Sequence, residues 1–551
     1  MSRRLFTAQE AAARIFAASD SDIDDESNNS GDISTQEEED AIIDIDSPVN
    51  EDSDDSNDND SSENSDKAEG DIGHRLSRDG NIQWSMVPPV AVGHARALNI
   101  VRYTAGPAPH VIRQCQSAED IFYSFITEEM IRDIVQHTNI EGRQRFPKWQ
   151  ETTSIEIRKF IGLVLIAGVY TSKNESVKQL WNIENGQQIF GKVMLSTMMR
   201  FDDHTTHVEH RAPFCSIWNK FITKCHSNYV PNDHMTVNEQ LLTFRGRCPF
   251  QMFIPSKPGR YGLKIWALCD SINKYFYNGD IYTGRRGQAR EVNQSSRVVL
   301  ELTEPLTNTG RNIIGDNFFS SLHLLQTLKA RRLSYMGTIR RNKPELPIDF
   351  QASRQRPVHS SLFGFSNDAM VVSYVPKRSK AVNLISSMHN TAELSNDRVK
   401  PQLILDYNAL KSGVDTLDQL IRKYSCKRRT LRWPMSLFYN MIDLAAYNAF
   451  VIFLDAHPQW ERRKSHRRRL FLILLARQLI GLPEQLHGRQ VQADRPAAVA
   501  RPEVQADRPA KRRCTSCDWK RDRKTAYRCR QCNAPVCMEH ACIFCNNCLP
   551  N

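Results

Sequence analysis

The sequence predicts a mixed α/β fold, and two observations carry that reading. Three runs with strand patterning, residues 235–244, 262–270 and 274–283, follow one another closely, the last two joined by a turn at Ser271-Ile272-Asn273. Strand and helix then alternate: a short buried strand at 311–315, a helix at 319–331 and a strand at 334–339. An antiparallel trio followed by alternation fits one sheet with helices packed on it.

The flanks read as follows. Apolar residues recur at helical spacing across 118–138 (Ile121, Phe122, Phe125, Ile126, Met130, Ile131, Ile134) and again across 155–170, so residues 97–230 are mainly helical. Residues 340–400 are strand-rich and irregular, and helical spacing returns at 415–424 and 435–454. Folded structure is expected to begin near Ala97, which leaves 1–96 as an N-terminal arm.

That arm is acidic. Residues 20–71 hold 22 acidic side chains and one basic, so this segment carries −21 and the rest of the 551-residue chain +31 around a net of +10. Its Asp, Glu, Ser and Asn cannot bury enough apolar surface to offset chain entropy, which predicts disorder. A basic body with an acidic arm points to a polyanionic partner with which the arm competes. No run reaches the 18 or so apolar residues of a membrane span, and Met1-Ser2-Arg3-Arg4-Leu5 lacks the apolar segment of a signal peptide. A cytosolic or nuclear protein is expected, with reduced thiols.

Eight of the 14 cysteines crowd between Cys514 and Cys548, which in a reducing compartment argues for metal. The ligand pattern is Cys514-x2-Cys517-x11-Cys529-x2-Cys532-x4-Cys537-x2-His540-x4-Cys545-x2-Cys548. Each pair spaced by two residues can reach one tetrahedral ion, so eight ligands make two closed, structural Zn2+ sites. Interleaved pairing is preferred, with Cys514, Cys517, Cys537 and His540 on one ion and Cys529, Cys532, Cys545 and Cys548 on the other. Sequential pairing is the alternative, and Cys542 is a ninth candidate. Residues 481–513 form a linker in which VQADRPA, at 491–497, recurs at 504–510.

Two acidic positions look chemical. Asp316 follows the apolar Asn312-Ile313-Ile314-Gly315 at a strand end, and Asp415 and Asp418 share one face of a predicted helix. Converging carboxylates of this kind hold Mg2+ or Mn2+ for phosphoryl transfer; a strand-end turn and a helix-dipole role are the plain alternatives. Residues 423–433, KYSCKRRTLRW, interleave basic and aromatic side chains. Lys427, Arg428, Arg429, Arg432 and Trp433 suit phosphate contact and base stacking, or simply a solvated basic surface. Arg462, Arg463, Lys464, Arg467, Arg468 and Arg469 make a second patch, a nuclear-localisation or phosphate-contact segment.

Four segments, NEQLLTFRGRCPFQMFIPSKPGRYGLKI (238–265), RNIIGDNFFSS (311–321), GVDTLDQL (413–420) and RRTLRWPMSLFYNMID (428–443), resemble those of piggyBac transposases, in the same order and with the same terminal Cys/His module. The resemblance implies an RNase H-like catalytic core, residues 231–340 and 401–425, interrupted by an insertion domain at 341–400. It implies a helical dimerisation and DNA-binding domain at 97–230, a helical DNA-binding region at 426–480 and a zinc-binding domain at 514–551. Such enzymes excise a transposon through hairpin intermediates and rejoin it at TTAA, using three aspartates and two metal ions. By position, Asp316 and Asp415 are the second and third aspartates and Asp418 an accessory fourth.

The first position of the family pattern Asp-Glu-Gln-Leu is Asn238 here, in Thr236-Val237-Asn238-Glu239-Gln240-Leu241. Asparagine keeps the shape but lacks the charge that offsets two repelling dications. Glu239, one residue on, is expected to face the other side of the strand; Asp233 and Asp270 are weak substitutes. The expected protein is nuclear, dimeric and DNA-binding, with impaired strand transfer. The alternatives are a fully active transposase and a domesticated, non-catalytic chromatin or DNA-binding protein.

The zinc reading has a direct check. Chelation should unfold residues 514–548 and leave the rest of the chain folded, and Cys514→Ser or Cys529→Ser should each release about one zinc per chain, measured by metal analysis after gel filtration. A folded, metal-free module would refute it.

Overall fold

A computed structural model describes residues 73–89, 103–170 and 212–482, apart from short stretches at 256, 258, 285–290, 292, 352 and 396–398, together with 512–513 and 524–525. The chain divides into two compact units, residues 1–484 and 485–551. The acidic segment 20–71, the repeated linker and all eight candidate zinc ligands lie outside the described residues. In the second unit the described strands Arg512–Arg513 and Lys524–Thr525 pair antiparallel.

The first unit is built on one eleven-stranded sheet. Its strands are β1 (His74–Leu76), β2 (Gln83–Ser85), β3 (His234–Thr243), β4 (Met252–Phe253), β5 (Tyr261–Asp270), β6 (Phe276–Ile281), β7 (Asn312–Gly315), β8 (Ser334–Thr338), β9 (Ser361–Phe365), β10 (Met370–Lys377) and β11 (Lys380–Ser386). They lie in the order β1-β2-β9-β10-β11-β8-β7-β3-β5-β4, with β6 also on β5. Strands β6, β5 and β3 run antiparallel, and β3, β7 and β8 run parallel. This matches the trio and alternation expected from the sequence and is consistent with an RNase H-like core.

Two expectations about boundaries change. Residues 73–89 belong to the fold: β1 and β2 join the sheet through the Phe365–Ser85 pairing, and Trp84 is fully buried with its indole N–H on the Glu345 carbonyl at 2.9 Å. Trp84 is its buried anchor, and Arg75 on Asp349 and Arg78 on the Arg341 and Lys343 carbonyls tie it further. Residues 361–386, read as an insertion domain, extend the same sheet, because β11 pairs antiparallel with the free edge of β8.

Helices cover both sheet faces. On β7, Ile313 enters the large core and Ile314 a second core with Leu403, Ile404 and Tyr407 of the helix Gln402–Leu410, both isoleucines fully buried. Alternating side chains therefore find apolar cover on either side, which is why the strand reads as a continuous apolar run. Besides a short helix at Pro109–Gln114, the helices are α1 (Ala118–Tyr123), α2 (Glu128–Arg145), α3 (Ser154–Val169), α4 (Ala212–Asn228), α5 (Gln294–Leu302), α6 (Leu322–Ala330), α7 (Gln402–Leu410), α8 (Gly413–Lys423), α9 (Trp433–Ala456) and α10 (Arg467–Ile480). The run of helical spacing over 118–138 is helical and falls into two helices. Ser117 with Asp120 caps α1, and Thr127 accepts the Met130 N–H to start α2, so the side-chain oxygens set a break that apolar spacing does not register.

Helix α9 is the core element. By length and composition it could cross a membrane, with mean hydropathy 1.5, but 89% of that window is buried inside the protein. An uninterrupted apolar run was the wrong measure, because polar residues recur along the helix. Asn448, fully buried, shows their use. Its amide oxygen accepts the Phe276 N–H and its amide nitrogen donates to the Phe276 carbonyl, each at 2.8 Å, so a helix side chain completes the hydrogen bonding of β6. Asn448→Leu fills the same volume and strands both backbone groups, and should lower stability by about 2–4 kcal/mol in urea unfolding. A loss under about 1 kcal/mol would mean that those groups find other partners.

Candidate functional site

The site forms where β3, β7 and α8 meet. Thr236 on β3 lies opposite Ile314 on the parallel β7, and Asn238 and Asp316 each stand two residues further along. Helix α8 then comes down on β3. Gly413 makes this possible: a Cβ there would lie 2.6 Å from Thr236 Oγ1. The close approach sets Asp415 against Asn238, whose amide nitrogen donates to Asp415 Oδ2 at 3.0 Å. This orientation follows from chemistry, since only the amide nitrogen can donate to a carboxylate. The Asn238 oxygen accepts the Glu239 N–H at 2.9 Å.

Lys257, on the loop between β4 and β5, brings a positive charge to this pair. Its ammonium donates to Asp415 Oδ1 and to the Glu239 carbonyl at 3.0 and 3.1 Å. Its side chain is 15% exposed, against 56% for Asp415. Burial works against the charged ammonium, but Asp415, Glu239 and Asp418 outweigh it and hold its pKa above the ordinary value.

Asp418 is engaged elsewhere. One oxygen accepts from Gln240 at 3.1 Å and the other pairs with Arg422 at 2.6 Å. Gln240 in turn exchanges hydrogen bonds with Asn440 of α9. Burial raises the Asp418 carboxyl pKa despite Arg422 and Gln240.

Asp316 sits just past β7, half-buried, and its Oδ1 accepts the Phe318 N–H at 2.9 Å. Gly315 before it is required, because a Cβ would come within 2.4 Å of the Tyr335 hydroxyl. Burial first and Glu239 second push the Asp316 carboxyl up to about 6, against the Phe318 and Phe319 amides and Lys257. Glu239 therefore acts on Asp316 although it alternates with Asn238. Asp316 stands in a turn beyond its strand, where the pleat no longer dictates which side it serves. Lys264, near Glu239 and Asp316, lies over the Trp266 ring at 3.6 Å, and burial lowers its pKa.

The proposed substitutes do not reach the site. Asp270, fully buried, accepts the Asn232 and Ile272 amides and closes the β5–β6 turn. Its strand partner is Met235, three residues from Asn238. Asp233 is exposed in the loop before β3, and its carbonyl takes the Asn312 N–H.

Among the basic residues, Lys427 donates to the Thr243 carbonyl and Trp433 packs edge-on against Phe250 at 5.1 Å, so the segment rides on the far end of β3. Arg428, Arg429 and Arg432 belong to the same segment, with Arg429 exposed. In the second patch Arg467 donates to the Pro458 and Trp460 carbonyls, and Arg468 and Arg469 lie over Tyr424 and Tyr170. These three serve packing; Arg462, Arg463 and Lys464 are exposed. Lys257, Glu239 and Gln240 were not singled out as site residues, although all three lie inside a segment that carries the family resemblance.

A mixed sheet that gathers carboxylates from a parallel strand end and from a helix laid across its neighbour fits the family match. The family model described as Transposase IS4 matches residues 117–450, more than half of the chain, including Asn238, Lys257, Asp316, Asp415 and Asp418, and the chain belongs to this transposase family in its piggyBac form. The human PiggyBac transposable element-derived protein 3 is 23% identical over 469 residues, covering 76% of this chain and 74% of that protein. The human PiggyBac transposable element-derived protein 2 is 26% identical over 215 residues, 35% of this chain and 36% of that one. A piggyBac transposase solved as a synaptic complex with hairpin DNA superposes with a TM-score of 0.65 at 33% identity, covering 81% of this chain and all of the other.

The Asp316 environment predicts a pH effect. Unfolded, the group titrates near its ordinary 3.8, folded near about 6, so the native state keeps the proton longer. Stability linked to that proton is full at low pH and lost as pH rises through the folded value. Asp316→Asn should therefore be more stable than wild type at neutral pH by up to about 3 kcal/mol, a gain that falls away below about pH 4, in urea titrations at both. An equal gain at both would show that charge is not its source.

Proposed function

We propose that this chain is a nuclear, dimeric, DNA-binding protein of piggyBac type, directed at transposon ends and TTAA targets, whose strand-cleaving chemistry is impaired at Asn238. One observation carries the reading: the Asn238 amide donates to Asp415 across 3.0 Å where a third carboxylate and a metal ion would otherwise face it.

The donor set fits two divalent ions poorly. Asn238 offers an amide that already points its nitrogen at Asp415. Asp418 is held by Gln240 and Arg422, and the Lys257 ammonium lies on Asp415. Among the described residues no group of three or more His, Cys, Asp or Glu side chains is arranged to hold a metal. With Mg2+ or Mn2+ the residues left to bind are Asp316 and Asp415. The chain's own groups instead neutralise one another: Lys257 answers Asp415 and Arg422 answers Asp418. DNA binding needs none of this chemistry, because the basic surface supplies it through phosphate contacts. Two Zn2+ ions in the Cys/His module, flanked by Lys511, Arg512 and Arg513, would add a second DNA contact.

Asn238→Asp tests the reading. Two carboxylates then face each other, so the variant should melt lower than wild type in EDTA and recover in Mg2+ or Mn2+ more than wild type does. On a supercoiled donor carrying the element's own ends, wild type should bind but cut poorly. Asn238→Asp should cut faster by orders of magnitude, and adding Asp316→Asn should abolish the gain. Robust cutting by the unaltered chain would overturn the impaired-site reading. A variant that gains metal-dependent melting but no cutting would favour the domesticated, non-catalytic alternative.

A further inference from the structure

At the end of the sheet opposite Asp316, a second polar cluster lies where four strand ends meet. His234 and Ser334, the first residues of β3 and β8, are the strand partners of Asn312, the first residue of β7. Their side chains meet the Asn312 amide at 3.4 and 3.0 Å. Ser386 ends β11, which runs the other way beside β8. Its Oγ lies 2.9 Å from His389 Nδ1, and His389 Nε2 lies 2.9 Å from Asp406 Oδ2. The Gln402 amide donates to the other Asp406 oxygen at 2.8 Å. None of these groups belongs to the carboxylate site.

The proton positions follow from counting donors and acceptors. Ser386 is fully buried, and its oxygen already accepts the Met388 and His389 N–H groups at 3.1 and 3.3 Å. Both lone pairs are engaged, so the hydroxyl hydrogen goes to His389 Nδ1. That selects the neutral imidazole with its hydrogen on Nε2, donating to Asp406. A serine, an imidazole and a carboxylate in a row are also the parts of a nucleophilic triad. Ser386 cannot act as one, because it is buried and its oxygen is held by backbone amides. The row of bonds therefore orients rather than reacts.

What it orients is α7, which carries Asp406 and leads into α8. Leu403, Ile404 and Tyr407 of α7 face the second core, and apolar contact alone lets a helix slide along its axis. No side-chain cap holds its start, where the preceding residue is Pro401. The His389–Asp406 bond ties the middle of α7 to the end of β11. At the far end of α7 the Leu410 carbonyl takes the Thr236 hydroxyl at 2.9 Å. With both points fixed, Gly413 comes down on Thr236 and Asp415 on Asn238. His234 is no rival donor in this role: burial holds its pKa below the ordinary value despite Asp233, Asp406 and Asp270, and its ring meets Asn312 instead.

We propose that His389 is a positioning residue for Asp415. Neutral and donating from Nε2 to Asp406, it sets α7 against β11 and so places the first turn of α8 against Asn238. The inference concerns how the site is assembled and stands whether or not the site cuts DNA.

The test uses the full chain. With isotope-labelled histidine, the His389 ring should show the Nε2–H tautomer by NMR at neutral pH. His389→Leu should speed amide hydrogen exchange in residues 402–423 about tenfold and leave β5 and α9 unchanged. His389→Gln, whose amide can still donate to Asp406, should bring that exchange back to within about twofold of wild type. In the Asn238→Asp chain, the rise in melting temperature on adding Mg2+ should be lost with His389→Leu and kept with His389→Gln. An Nδ1–H tautomer would overturn the assignment, and so would exchange in 402–423 that His389→Leu does not move. Faster exchange throughout the sheet without rescue by His389→Gln would overturn it too, as the mark of a plain loss of stability. If His389→Leu does not fold, Asp406→Ala and the tautomer decide in its place. If Asn238→Asp gains nothing from Mg2+, the impaired-site reading falls, and the tautomer and the exchange pattern still judge His389.

Discussion

A stripe of buried polar side chains down α9 sets the positions of much else. Asn440, Asp443 and Tyr447 recur every three or four residues along an otherwise apolar helix, with Asn448 next to Tyr447. Each completes a different element: Asn440 exchanges hydrogen bonds with Gln240 on β3, Asp443 accepts from Ser425 and Cys426, Tyr447 donates to the Asn273 carbonyl, and Asn448 pairs with Phe276. Buried polar groups cost stability unless satisfied, so this stripe admits one register of helix against sheet. Apolar packing alone would tolerate a slide; these bonds do not. Asp443 keeps its place although burial pushes its carboxyl up to about 6, because two backbone and hydroxyl donors face it.

That register is transmitted to the site. Asn440 holds Gln240, Gln240 holds Asp418, and Asp418 holds Arg422, so the outer turns of α8 are fixed from the core outward. The inner turn is fixed by Gly413 on Thr236. Asp415 is left to meet Asn238 and Lys257. The acidic groups are thus sorted by their partners. Asp418 is structural in its bonds, Asp415 is shared between an amide and an ammonium, and Asp316 stands apart with a raised pKa and only backbone donors.

Two of the acidic groups around Asn238 are paired by cations. Lys257 answers Asp415 and Arg422 answers Asp418 at hydrogen-bonding distance, while Asp316 is met by backbone amides alone. A carboxylate at Asn238 would face Asp415 without the hydrogen bond that the amide now donates. The same β4–β5 loop serves both ends: Lys257 turns inward to Asp415, and Phe253 and Arg260 turn outward to solvent.

Much was legible in the sequence. Strand and helix patterning gave the antiparallel trio, the parallel strand ending at Asp316 and the helix bearing Asp415, because period-two and period-3.6 apolar spacing report local burial directly. Motif order gave the family and the altered first position. The sequence could not divide 118–138 into two helices, since capping oxygens and not apolar spacing set that break. It could not recruit Trp84 to the sheet, because a lone aromatic carries no periodicity. It placed Glu239 on the far side of β3, which holds for the strand but not for a partner in a turn. What only the tertiary structure decided is charge pairing: that Lys257, 158 positions from Asp415, lies on it, and that Gln240 reaches Asp418. Local pattern records which side chains must be buried; which charges then meet depends on how distant segments are brought together, and no local spacing encodes that.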